Sequence, residues 1–479
     1  MNRENRDRAL RGCRSILLQA AFAAMLGAGA PAAADGLTPQ QQLAHDIYKE
    51  LVEIDTTTAT GDTNLAAQAM AARLKQAGFA EEDVHAFSPA PHKGNLVARL
   101  RGSGACKPIL LVAHLDVVPA KREDWSLDPF KLTEQDGYFY GRGSADDKYM
   151  AASFVTNLIR YKQEGYKPDR DIIVALETDE EILDADGLGI QWLLKNHRDL
   201  IDAEFALNEG GGVGLKDGKA IRNSVQTSEK VSVSFQLEVK NSGGHSSVPR
   251  RDNAIYRLAQ GLVRLSAFDF PVHLNETTRA WFEKTAAFET PQTAADIRSV
   301  LTDKPEPAAL ERLSNHAFYN AELRTTCVAT LLQGGHAVNA LPQLASAKVN
   351  CRIMPGEPVE GVKATLERVL ADGQIAVTQL DPAVLSEPSK LNEEILGAIE
   401  KQSKAFWPGA VVLPVMSTGA TDGSYLRNAG IPTYGHSGMA IDINEGRIHG
   451  RDERVPVKSF YEGDEYLYRL VKSLSGGPS

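Results

Sequence analysis

The chain has 479 residues, more than a single hydrophobic core holds, so two or three domains are expected. Apolar residues make up 43% and charged residues 24%, which excludes a disordered or fibrous chain. The net charge of -10 speaks against a nucleic-acid partner.

Arg3, Arg6, Arg8, Arg11 and Arg14 form a positive leader, followed by an apolar run from Ile16 to Ala30 and by Ala32, Ala33 and Ala34. That order is the layout of a secretory signal peptide over residues 1–34, cleaved after Ala34. The apolar run, about 15 residues, falls short of the ~20 that span a bilayer. The mature protein is therefore expected to be exported, to the periplasm or the medium, without stable membrane insertion. Cys106, Cys327 and Cys351 remain after cleavage. Cys327 and Cys351 lie in neighbouring strand-like segments and could pair, but three scattered cysteines make no framework, and packed free thiols are expected.

Leu43, Ile47, Leu51 and Ile54 recur at helix spacing, and a second helix is predicted over 65–75 before Gly78. Apolar strands are predicted at 95–100, 108–113, 171–177 and 205–207, with helices at 148–164 and 190–196 between them. Strands alternating with helices predict an α/β/α layered domain with a mostly parallel sheet. Near Ser228 the pattern changes. Residues 231–239 alternate apolar and polar, as a half-exposed strand does. A helix at 253–265, strands at 327–332 and 345–354, a helix at 359–371 and a strand at 375–380 follow. This β-α-β-β-α-β order predicts a smaller ferredoxin-like α+β module, with residues 268–323 as a helix-leaning insertion. The α/β pattern resumes near Ser389. The predicted organisation is thus one α/β domain, 35–227 and 384–479, interrupted by the module at 228–383.

Five short motifs stand at predicted strand ends or in loops. The first, His114-Leu115-Asp116, follows an apolar strand; open α/β sheets place their sites there. Imidazole is a good zinc ligand, and Asp116 can hold its other nitrogen. In the second, 141–148, glycines allow a tight turn and Asp146 and Asp147 precede a helix; an acidic helix cap explains one of these acids but not both. The third is Asp179-Glu180-Glu181, where adjacent carboxylates repel unless a cation or a proton offsets them. One can bind metal while its neighbour takes a proton from water. Asn208-Glu209 and His449-Gly450-Arg451-Asp452-Glu453 complete the set. Histidine and carboxylate without cysteine is the donor set of zinc, cobalt or manganese.

In order and spacing these motifs resemble the zinc amidohydrolase family that includes carboxypeptidase G, carboxypeptidase S, aminoacylase, acetylornithine deacetylase, succinyl-diaminopimelate desuccinylase and carnosinase. The resemblance covers nearly the whole mature chain. It implies two zinc ions per chain, replaceable by cobalt or manganese. His114 and Glu209 would bind one, Glu181 and His449 the other, and Asp146 would bridge them. Glu180 would be the general base, and Asp116 would orient His114. The inserted module would act as a lid and dimerisation domain. Within it, the Gly243-Gly244-His245 segment resembles a lid motif whose histidine polarises the scissile carbonyl in the partner protomer. Arg352 matches an arginine that grips the substrate carboxylate in a two-pronged way. Asn339, Gly419 and Thr421 match substrate-contacting segments. The sequence departs from some relatives at 182–187, where a glycine-serine pair is replaced.

The expected activity is hydrolysis of an amide bond next to a free carboxylate, in short peptides, by a homodimer. N-acyl amino acid deacylation is the alternative. A non-catalytic peptide-binding protein of the same fold is the distant one, weakened because every expected ligand and the base are present.

Overall fold

The computed structural model describes residues 36–182 and 187–476. The predicted signal peptide, and residues 183–186 of the departing segment, lie outside them. Two compact units divide the chain: residues up to Leu207 together with those from Gly438 onward, and Asn208–Ser437. Among the described residues no helix is long and apolar enough to cross a membrane.

The first unit opens on the helix Pro39–Glu53. Thr38 and Gln41 form a capping box and Pro39 occupies the first turn, where its missing N–H costs nothing. Ala44, Ile47, Tyr48, Leu51 and Val52 form its buried stripe. The strands are β1 (Val84–Ala90), β2 (Lys93–Leu100), β3 (Ile109–His114), β4 (Ile172–Glu177) and β5 (Phe205–Asn208). They lie in the order β1-β2-β4-β3-β5. β3 is parallel to both β4 and β5, whereas β1 and β2 run antiparallel at the edge. β3 and β4 are buried at every residue, as strands covered on both faces are. The register sets His114 opposite Glu177 and Leu111 opposite Leu207. Parallel strands in register end together, so the loops after β3 and β4 leave from one edge of the sheet. The helix Lys148–Gln163 is buried along almost its whole length and packs on the C-terminal helix Val457–Ser475. Tyr161 donates to the Tyr468 carbonyl at 2.7 Å.

In the second unit β6 (Lys219–Glu229) passes through Lys230 into β7 (Val231–Lys240). β7, β8 (Thr326–Gly334), β9 (Leu344–Ile353) and β10 (Ile375–Gln379) form an antiparallel sheet in the order β8-β9-β7-β10. With the helices Ala254–Ser266 and Val359–Leu370 this is the ferredoxin-like arrangement. The helices cover one face, where Val231, Val233, Phe235, Leu237 and Val239 meet Leu258, Val362 and Leu366. The other face carries Ser232, Ser234, Asn350 and Arg352. Residues 268–323 contain the helices Glu276–Thr285, Pro291–Val300, Pro307–Ser314 and Ala317–Leu323. They have their own core, with Trp281, Phe282, Ile297, Tyr319 and Leu323 packed on Leu413 of β11 (Val411–Ser417). β11 pairs parallel with β6.

The unit boundary places residues 208–227 and 384–437 with the four-stranded sheet. The boundaries at 228 and 383 drawn from the sequence instead follow the ends of that sheet, from Val231 to Gln379. One expectation is overturned. Cys327 and Cys351 are not free thiols but a disulfide, with Cα atoms 4.1 Å apart. They stand directly opposite each other on β8 and β9, and antiparallel register brings opposed Cβ atoms within bridging distance.

Candidate metal centre

His114 closes β3 with its ring buried. Its Nδ1 lies 3.0 Å from the Asp116 backbone oxygen, an atom that only accepts. Nδ1 therefore carries the proton, and Nε2 presents a lone pair. Yet Nε2 lies 3.0 Å from Asp146 Oδ1. On the other side of that carboxylate, His449 Nε2 lies 3.0 Å from Asp146 Oδ2 and 2.9 Å from Glu181 Oε1. A lone pair facing a carboxylate, and two carboxylates facing one nitrogen, call for positive charge between them. Burial pushes the Asp146 carboxyl up, but the His114 and His449 imidazoles beside it outweigh burial and hold it below the usual carboxylate range. Asp146 and then Glu181 raise the His449 imidazole to about 10. His114, Asp146 and Glu181 present ligand atoms within 4.8 Å of one another. A nitrogen-and-oxygen donor set so gathered fits a divalent transition metal.

Asp116, expected to orient His114, meets the ring through its backbone oxygen, and its carboxylate lies 3.7 Å from Nδ1. That carboxylate accepts from the backbone N–H groups of Glu180 and Glu181, at 3.2 and 3.1 Å. The backbone carbonyl of Asp116 holds the ring, and its side chain holds the acidic loop. Asp147 stands at the helix N-cap, but its side chain makes no capping bond.

Glu453 and Arg142 belong to the motifs, yet the sequence assigned them no part. Glu453 is buried and accepts from the backbone N–H of Ala145 at 2.7 Å and of Asp146 at 3.2 Å. Arg142 pairs with it and donates to the carbonyls of His449 and Gly450, at 3.3 and 2.8 Å. The pair thus ties the loop carrying Asp146 to the loop carrying His449. Gly143 turns that first loop at φ +77, where a Cβ would also strike Val117. Lys148 is buried; its ammonium donates to the Ile54 carbonyl at 2.8 Å, and burial pushes it down to about 7.

The second unit carries the other sequence-selected residues. Glu209 follows β5 directly. Gly244 and His245 pair with Leu341 and Ala340, and Ser246 N–H donates to the Asn339 carbonyl, so the His245 and Asn339 segments are joined. His245 is exposed, and its Nδ1 accepts from Ser247 N–H at 3.1 Å. That acceptor role leaves the ring proton of the neutral imidazole on Nε2. Gly419 N–H donates to Ser417 Oγ at 3.0 Å. Thr421 donates to Glu229 Oε2 at 2.8 Å, and Glu229 is held in turn by Gln226 and Arg427. Glu229 was missed by sequence reasoning. Its one signal is a charge at the junction of two strands.

Residues 110–473 match the profile of Peptidase family M20/M25/M40. The human N-fatty-acyl-amino acid synthase/hydrolase PM20D1 is 29% identical over 380 residues, which cover 77% of this chain and 74% of the relative. Carboxypeptidase S of Saccharomyces cerevisiae is 25% identical over 419 residues, 77% of this chain and 72% of the relative. The fold is similar to that of an M20 family metallo-carboxypeptidase of Sulfolobus solfataricus, with a TM-score of 0.68 at 17% identity, over 90% of this chain and 98% of that one.

Proposed function

Since the chain belongs to Peptidase family M20/M25/M40, we propose that it is a two-zinc hydrolase that cuts the amide bond next to a free carboxylate in short peptides. The observation that carries this reading is the convergence of His114, His449, Asp146 and Glu181. By the motifs, His114 and Glu209 would hold one ion and Glu181 and His449 the other, with Asp146 as the ligand they would share. When bound, the ions supply Lewis acidity, polarising the scissile carbonyl and acidifying water at the site.

The chain's own groups do the rest. Glu180, its backbone fixed by Asp116, takes a proton from the attacking water on a carboxylate oxygen and passes it to the leaving nitrogen. His245 donates Nε2–H to the carbonyl oxygen as negative charge develops there. Arg352 grips the substrate carboxylate, and Asn339, Gly419 and Thr421 belong to segments that contact the substrate. The likeness to the N-fatty-acyl-amino acid hydrolase supports a second reading, in which the bond cut joins an acyl group to an amino acid. Both readings share the free carboxylate. A screen of dipeptides against N-acyl amino acids, with and without zinc, separates them: dipeptide turnover is expected, and turnover of N-acyl amino acids alone selects the second.

Glu453 bears on metal affinity because it aligns the Asp146 loop. Groups that orient metal ligands typically contribute 10- to 100-fold in affinity. Glu453→Gln is therefore expected to weaken zinc binding about 10- to 100-fold in a competition titration with a chromogenic chelator. Unchanged affinity would show that the loop holds itself.

The reading includes export and a homodimer. β8 is an edge strand whose Val328, Leu331 and Leu332 are 61, 55 and 66% exposed, and the adjacent helix exposes Tyr256 and Val263. An apolar strand edge is normally covered, and a two-fold partner covers it with the same surface. With His245 acting on the partner's substrate, chains carrying His245→Ala and chains carrying Glu180→Gln, each inactive alone, are expected to regain activity when co-refolded. Proven heterodimers without activity would defeat the assignment.

A further inference from the structure

The four-stranded sheet has one face covered by helices and one polar face. Arg352 stands on the polar face, half-buried, and among the described residues its guanidinium has no acidic partner. Burial lowers its pKa, with no opposing carboxylate. The nearby charges are already engaged. Glu357 is taken by His273 at 2.8 Å and by Thr325. Lys230 donates to the Arg324 carbonyl at 2.6 Å, and Glu322 faces Lys230. A guanidinium kept half-buried without a counter-ion is poised for one from outside.

Directly across the ladder from Arg352 on β7 is Ser232. Opposed residues share a face, with Cβ atoms about 4.5–5.5 Å apart. On the next rung, Asn350 Nδ2 donates to Ser232 Oγ and to Ser234 Oγ, both at 3.3 Å. An amide nitrogen has only protons to give, so Ser232 Oγ is an acceptor in this contact. Its own O–H must point elsewhere.

We propose that Ser232, opposite Arg352, donates its hydroxyl proton to the same substrate carboxylate that Arg352 grips and so helps set specificity for a free acid, with Asn350 as the positioning residue that turns the hydroxyl. This rests on the reading of Arg352 as the carboxylate-binding residue. No bond is made or broken in the step; the serine and the guanidinium together satisfy two oxygens.

The test compares the best substrate of the screen with its carboxamide, using the zinc-loaded full chain. A hydrogen bond to a charged group is typically worth a factor on the order of 10 to 100. Ser232→Ala is expected to lower kcat/KM for the acid about 10- to 100-fold, mainly through KM, and to leave the amide unchanged. Ser232→Asp places a carboxylate opposite the guanidinium and is expected to abolish preference for the acid while amide turnover persists. Asn350→Ala is expected to raise KM for the acid without changing kcat. Arg352→Lys serves as reference and should lose the acid selectively. Selective loss in Arg352→Lys with none in Ser232→Ala overturns the inference and leaves the reading of Arg352 standing. Equal loss on both substrates in every variant overturns both. Should Ser232→Asp not fold, Ser232→Ala alone decides.

Discussion

Glu180→Gln is expected to hold both metal ions and to turn over about 10²- to 10⁴-fold more slowly, the range that positioned general-base catalysis supplies. The amide is isosteric with the carboxylate but cannot take a proton at neutral pH. The loop should survive the change, because Asp116 binds the backbone N–H of residue 180 and not its side chain. The measurements are turnover and elemental analysis on the same zinc-loaded sample. Slow turnover with full metal content places Glu180 in proton transfer. Lost metal would make it a ligand, and near-normal turnover with full metal would remove it from the mechanism.

Asp146→Ala is expected to hold at most one ion per chain and to be inactive. The two oxygens of this carboxylate face different imidazoles, Oδ1 toward His114 and Oδ2 toward His449. Alanine removes the carboxylate that lies between the two rings and should leave each with an incomplete set. In the unaltered protein, chelation is expected to abolish activity, and zinc, cobalt or manganese to restore it. Two ions per chain in the alanine variant would contradict the bridge.

These expectations rest on residues that stand out in the sequence for a physical reason. Fully buried parallel strands read as unbroken apolar runs, so β3 and β4 were legible, and the chemistry sits where such runs stop: His114, then Asp179-Glu180-Glu181. The clean alternation of β7 was legible because one face of its sheet is packed and the other is polar. The helical nature of residues 268–323 could be read as well, but not their core, since Leu413 lies far along the chain.

What the tertiary structure alone decided is pairing at long range. The bond between Arg142 and Glu453 spans 311 positions, and that between Thr421 and Glu229 spans 192. No local pattern encodes such a partner, because a hydrogen bond depends on where the fold carries both ends. The same holds over short distances when register matters. A slip of one residue on β8 would have turned Cys327 away from Cys351, and the expectation of free thiols failed for want of that register. Asp116 shows the limit most clearly: sequence identified the residue, but only the fold could show that its carbonyl serves His114 and its carboxylate serves the backbone of Glu180 and Glu181. Residue type and spacing determined which chemistry this chain carries, because donors and acids are scarce at the ends of apolar strands; the folded register determined which atom of each performs it, because hydrogen bonds form between atoms and not between residue names.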